Sequence, residues 1–174
     1  MASRTSLPIA GQPDSHQVAW RVLLTAHSVL TRRVAQGLEA AGGISYDDYD
    51  VLLTLNEAEG RRLRMSDLAR LTLLSHSGIS RAVTRLESEG LLKRERCETD
   101  GRGFFAVLTK RGQKALKAAW PPYRALVKEH FSGVLSAEEA EQLAGMLHRV
   151  IVSAAEEGPF GEAYPQRLTD EPKD

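Results

Sequence analysis

A chain of 174 residues, 42% hydrophobic but only 6% aromatic, has enough apolar mass for one helical domain with a core of its own. Its formal net charge is zero, so no whole-chain polarity signals a polyanionic partner, and a single cysteine, Cys97, excludes an internal disulfide framework or a cysteine zinc cage and fits a reducing compartment. No apolar run approaches the roughly 20 residues that cross a bilayer, and the first residues lack a basic-then-apolar secretion signal, so a cytoplasmic location without a membrane partner is expected.

The charge is unevenly spread. Arg61 to Arg111 carries 12 Lys/Arg against 6 Asp/Glu, and the remainder carries 11 against 17. A basic middle between acidic flanks suggests that only the middle meets a polyanion.

Residues 1–14 and 158–174 mix Pro, Gly and polar residues without periodicity and read as a disordered arm and tail. They leave a single domain over 15–157. Ser15 is expected to cap a long first helix through about residue 41, with Val18, Val22, Ala26, Val29, Leu30, Val34 and Leu38 recurring at spacings of three and four, and Gly42-Gly43 ending it. Ser45 caps a second helix carrying Tyr49, Leu52, Leu53 and Leu55, which Gly60 closes. A short third helix covers roughly Met65 to Leu71, with Leu68, Ala69 and Leu71 inward. Ser75 caps a fourth that ends at Gly90. The runs LLKRERC and FFAVL around ETDGRG read as a β-hairpin. Thr109 starts a fifth helix through Phe131, which Pro121-Pro122 should kink or restart. Ser136 and Glu139 form a capping box for a sixth, with Leu143, Met146, Leu147, Val150, Ile151 and Ala154 as its apolar stripe.

The fourth helix, SHSGISRAVTRLESEG, carries the most information. At roughly 100° per residue, Ile79, Ala82, Val83 and Leu86 fall on one side. Ser77, Ser80, Arg81, Thr84 and Ser88 fall on the other, with Arg85 at the edge. A generic solvated face would be rich in Glu and Lys. Between residues 76 and 86 this one offers short hydroxyls and arginines without a carboxylate, a set that can approach base edges and pair with guanine or phosphate. Ser75 and His76 stand at the helix N-terminus, where free N–H groups favour a phosphate. The hairpin follows directly and would form a wing: Lys93, Arg94 and Arg96 lie on its first strand, and Arg102 sits at its tip beside Asp100. An arginine on a thin loop suits the minor groove, and a carboxylate two residues away can fix its fork.

These residues carry a family resemblance. The run MSDLARLTLLSHSGISRAVTRLESEGLLKRERCETDGRGFFAVLTKRG resembles the winged-helix core of the multiple-antibiotic-resistance regulator (MarR) family. The matching motifs are LA in the third helix, S-x-S-G-x-S-R-x-V-x-R-L-E-x-x-G-L in the fourth, D-x-R in the wing and LT-x-x-G entering the fifth. The fold this implies is mainly α with a small β-hairpin wing. The winged helix-turn-helix core spans about 45–110, and dimerisation helices span about 15–41 and 110–157. The implied function is a ligand-responsive homodimeric repressor of double-stranded DNA at a pseudo-palindromic operator. Ser77, Ser80, Arg81 and Thr84 would then face bases or nearby phosphates, Arg85 would brace the DNA backbone, and Arg102 would enter the minor groove, oriented by Asp100. The first and last helices carry apolar stripes too long for a domain this small to cover, which independently suggests a partner helix.

Trp20, His27, Tyr46, Tyr49 and Trp120 are expected near the junction of the first, second and fifth helices. In the family that junction forms a pocket for a small aromatic or lipophilic effector. Cys97 is expected to be a passive strand cysteine. The five histidines lack clustered co-ligands, so neither metal nor cofactor is expected, and the absence of phosphate-loop, dinucleotide, zinc-protease and nucleophile-elbow motifs argues against catalytic residues and an enzyme. Two alternatives are a winged-helix module for protein contact, which would need an apolar or acidic recognition face, and a DNA-binding regulator without an effector.

Overall fold

The computed structural model describes residues 14–72, 74–97 and 103–154, without the side chains of His76 and Ala154. The expected arm up to residue 13, the tail, the wing-tip residues Asp100 and Arg102 and the side chain of His76 therefore lie outside the described residues.

The chain is mainly helical, with a small antiparallel sheet. Helix α1 spans Ser15–Ala40. Its cap is Asp14 rather than Ser15, because the carboxylate accepts from the His16 N–H at 3.4 Å. Only the C-terminal half of its apolar stripe, at Val34 and Leu38, enters the core. Helix α2, Tyr46–Glu57, is capped by Ser45 as expected. It stops three residues before Gly60, and a 3-10 turn over Glu59–Arg61 carries the chain onward through positive φ at Gly60 and Arg61.

Strand β1, Arg62–Arg64, has no counterpart among the sequence expectations. It leads directly into α3, Met65–Leu71, and then α4, His76–Ser88. Strands β2, Leu92–Arg96, and β3, Phe104–Leu108, form the expected hairpin, with Leu92 opposite Leu108 and Arg96 opposite Phe104. β1 pairs with the far side of β3, Arg62 opposite Val107, so the wing is a three-stranded sheet in the order β1-β3-β2. A three-residue strand is too short to show alternation in sequence, and it forms because β3 offers it a free edge.

Between α4 and the sheet, Gly90 takes a positive φ. Its N–H donates to the Glu87 carbonyl at 2.9 Å, and that of Leu91 to Leu86 at 2.8 Å, which ends α4 in a Schellman motif. Helix α5, Lys110–Val127, is capped by Thr109 and contains both Pro121 and Pro122. The expected restart at the prolines does not occur. The irregularity follows them, as a π-helical turn over Lys128–Ser132. The donors the prolines lack would have met the carbonyls of Lys117 and Ala118, two exposed residues whose oxygens water can serve.

Helix α6, Ala137–Ala154, opens with the expected reciprocal cap. The Glu139 N–H donates to Ser136 Oγ at 3.2 Å, and the Ser136 N–H to Glu139 Oε2 at 2.8 Å. These bonds hold the exposed Glu139 carboxyl below its usual range. The core gathers Leu38, Tyr49, Leu52, Leu55, Leu68, Val83, Leu86, Leu92 and Leu116 from six elements, and α6 contributes nothing to it. Among the described residues no helix is long and apolar enough to cross a membrane.

Candidate nucleic-acid interface

Helix α4 is held on three sides. Ile79, Ala82, Val83 and Leu86 are buried, as the helical periodicity requires. At its start, Ser75 Oγ accepts from the Gly78 N–H at 3.2 Å and lies 3.4 Å from Ser77 Oγ. α3 ends in Thr72, whose buried hydroxyl donates to the Leu68 carbonyl at 2.9 Å and fixes the entry to the connection between the helices.

The outward face keeps the composition read from sequence. Ser77, Ser80, Arg81 and Thr84 are all exposed. The Arg81 guanidinium makes no hydrogen bond or ion pair with any described residue, so it is available to a phosphate or a guanine edge. Thr84 is more committed: its hydroxyl donates to the Ser80 carbonyl at 2.9 Å and accepts from Arg94 Nη2 at 3.1 Å. Arg94 Nε also lies 3.3 Å from the Glu87 carboxylate, so this strand arginine buttresses α4 from the wing. Its neighbour Lys93 pairs with Glu95 at 2.7 Å and draws that carboxyl below its usual range.

Arg85 has a partner within the domain. Its Nε lies 3.0 Å from Oδ2 and its Nη2 2.6 Å from Oδ1 of Asp48, a bidentate fork on α2. The family resemblance implies that Arg85 braces the DNA backbone; within the domain it meets a buried carboxylate, and that hydrogen bonding raises its already high pKa. Asp48 was missed altogether, because a carboxylate in the first turn of a helix reads as a helix-dipole residue.

Two further arginines enter through the unforeseen β1. The guanidinium of Arg62 stacks 4.0 Å from the Phe105 ring centre, and that of Arg64 lies 5.6 Å away. Arg64 Nη2 also donates to the sulfur of Cys97 at 3.4 Å. Cys97 itself is buried just past β2, its N–H bonded to the Gly103 carbonyl at 2.9 Å.

No cavity described among these residues gathers all five of those expected around an effector. Trp20 stands on the outer half of α1 with 58% of its surface exposed. His27 and Tyr46 line an open groove of about 410 Å³ with Asp47, Asp50 and Leu74. Tyr49 is buried and stacks on Tyr123 at 4.5 Å, and Trp120 lies against Tyr123 at 5.9 Å. Tyr46 also closes a second, mostly apolar cavity of about 150 Å³ with Leu30, Val34, Tyr123, Leu126, His130 and Phe131. Tyr123 and Phe131 were not among the residues expected here; Tyr123, three residues after Trp120 on the same helix, was the available signal.

The sequence model of the MarR family matches residues 42–103, from just after α1 to the residue before β3. AbsC, a MarR family transcriptional regulator from Streptomyces coelicolor, is 38% identical over 82% of this chain and 95% of its own, with a TM-score of 0.70. Sco3205, a MarR family regulator from the same organism crystallised in complex with DNA, is 29% identical over 86% of this chain and 94% of its own, with a TM-score of 0.74. An uncharacterised helix-turn-helix transcriptional regulator of Bacillus cereus is 33% identical over 102 residues, and the match spans 66% of that relative's length.

Proposed function

From the premise that this chain belongs to the MarR family of transcriptional regulators, we propose that it binds a specific double-stranded DNA site as a homodimer and represses transcription there. The observation that carries this reading is the outer face of α4, where exposed Ser77, Ser80 and Arg81 form a carboxylate-free surface on a helix whose other sides are buttressed. The DNA complex of Sco3205 supports it as a precedent in a relative. In this reading α4 enters the major groove, with Ser75, His76 and the helix N-terminus on phosphate and Arg81 on a base edge or phosphate. Thr84 presents its methyl group and one remaining lone pair, Arg94 steadies it from β2, and Arg102, oriented by Asp100, takes the minor groove. Residues 15–157 act as one domain, working in the cytoplasm as a regulator and not as an enzyme.

The homodimer would use α1 and α6, whose exposed Val18, Val22, Val29, Met146 and Val150 have no covering surface among the described residues. Two recognition helices would then meet half-sites about one helical turn, roughly 34 Å, apart. An effector would enter the cavity between α1, α2 and α5; apolar cavities of about 150 Å³ hold a benzene-sized molecule. Occupying it would alter the spacing of the two α4 helices and release DNA.

The test is selection of bound duplexes from a random pool, followed by anisotropy titration of the enriched sequence with excess nonspecific competitor. Wild-type protein should enrich a two-fold symmetric sequence. Arg81→Ala should weaken its binding by about 1–3 kcal/mol with the fold intact. Failure to enrich any sequence would sink the reading.

A further inference from the structure

Helix α4 carries two exposed arginines four residues apart, and the fold treats them oppositely. Arg81 projects without a partner among the described residues. Arg85 is gripped by both carboxylate oxygens of Asp48, at 2.6 and 3.0 Å. The carboxylate is fixed in turn, since Ser45 Oγ, the cap of α2, donates to its Oδ2 at 2.7 Å. The Asp48 side chain is only 7% exposed, while Arg85 keeps 44% of its side-chain surface in solvent. Asp48 therefore belongs to the body of the domain, and Arg85 is the exposed partner it holds.

An unpaired arginine on this helix would attract phosphate whatever the base sequence, which raises nonspecific and specific binding together. A buried carboxylate in bidentate contact cancels that charge and ties the flank of α4 to α2 in one geometry. We propose that Asp48 is a specificity-determining residue of this regulator and Arg85 a positioning residue: their pairing sets the register of α4 and withholds from DNA a cation that would bind all sequences alike. The inference rests on the DNA-binding reading above and deepens it.

The experiment uses the full chain, the duplex that wild-type protein selects from a random pool, and an unrelated duplex of equal length, titrated over a range of salt concentrations. Asp48→Asn keeps an acceptor for Ser45 but releases Arg85. It should bind the unrelated duplex several-fold more tightly, with a salt slope steeper by about one per freed arginine, and its discrimination should fall about tenfold. Arg85→Gln should leave the salt slope on the unrelated duplex at its wild-type value while weakening the selected one. Combining the two changes should abolish the gain that Asp48→Asn produces alone, because Arg85 is the cation responsible.

The proposal is overturned if Arg85→Gln flattens the salt slope on both duplexes by about one, as loss of a phosphate contact would. It is also overturned if Asp48→Asn weakens both duplexes equally and the double variant behaves the same. If Asp48→Asn does not fold, the slope measured with Arg85→Gln still decides. A wild-type protein that selects no sequence removes the DNA-binding reading itself, and it does so before any substitution is made.

Discussion

Tyr49 stacks on Tyr123 at the centre of the core, and its hydroxyl is buried without a hydrogen-bond partner among the described residues. Burial pushes both phenols above their usual range, with the neighbouring Asp50 and Glu57 adding to the shift. The folded core thus accepts only the neutral phenol, whereas the unfolded chain ionises at about pH 10. Stability from these groups is complete below that pH and lost as pH rises above it. Tyr49→Phe removes the orphaned hydroxyl, so it should raise stability by about 1 kcal/mol at neutral pH and move the onset of alkaline unfolding upward. Thermal melts at neutral pH and at about pH 10.5 check both, and a destabilised variant would mean that the hydroxyl is satisfied. Single residues were also where the sequence was hardest to read. The outward position of Ser77, Ser80 and Arg81 follows from periodicity alone. The fate of Arg85 does not, because its partner lies 37 residues earlier on another helix.

Among the elements, the LT-x-x-G motif has a physical explanation in how the sheet joins α5. Thr109 Oγ1 accepts from the Gly112 N–H at 3.0 Å and donates toward the Gly90 and Leu91 carbonyls at 2.8 and 3.0 Å. A Cβ on Gly112 would collide with the Leu91 carbonyl oxygen, which the Schellman turn after α4 holds in place. That oxygen is backbone and cannot swing aside. Gly112→Ala should therefore cost about 1–3 kcal/mol or more, and Thr109→Val about 1 kcal/mol through loss of the cap; denaturant unfolding measures each. If Gly112→Ala is neutral, the close approach of α5 to this turn is wrong. Elements with caps and sustained periodicity, such as α2, α4 and α6, were legible in the sequence. β1 was not, since a three-residue strand such as Arg62–Arg64 exists only through its pairing with β3. The continuity of α5 was hidden for the opposite reason: a local rule about prolines was overridden where the freed carbonyls reach water.

For the molecule as a whole, the decisive feature is apolar surface left uncovered. The first half of α1 exposes Val18, Trp20, Val22 and Leu24, and α6, which adds no residue to the core, exposes Met146, Val150 and Val152. Scattered exposed apolar residues are ordinary, but so many concentrated on two helices outside the core are what an association surface between two copies would cover. A second copy would present the same stripes and bury both sets across a two-fold axis. Wild-type protein should then sediment as a dimer at micromolar concentration. Val22→Lys combined with Val150→Lys should shift it to monomer, because a charge buried without a partner opposes association. Both residues are exposed and lie on α1 and α6 rather than α4, so the recognition face should survive intact, and the monomer should retain weak, salt-sensitive binding to any duplex. Binding to the selected site should fall by far more than Arg81→Ala alone produces, because each monomer would engage one half-site without the advantage of its tethered neighbour. A wild-type chain that sediments as a monomer, or a monomeric variant with undiminished site affinity, would refute the two-fold arrangement and leave the apolar stripes to a different partner.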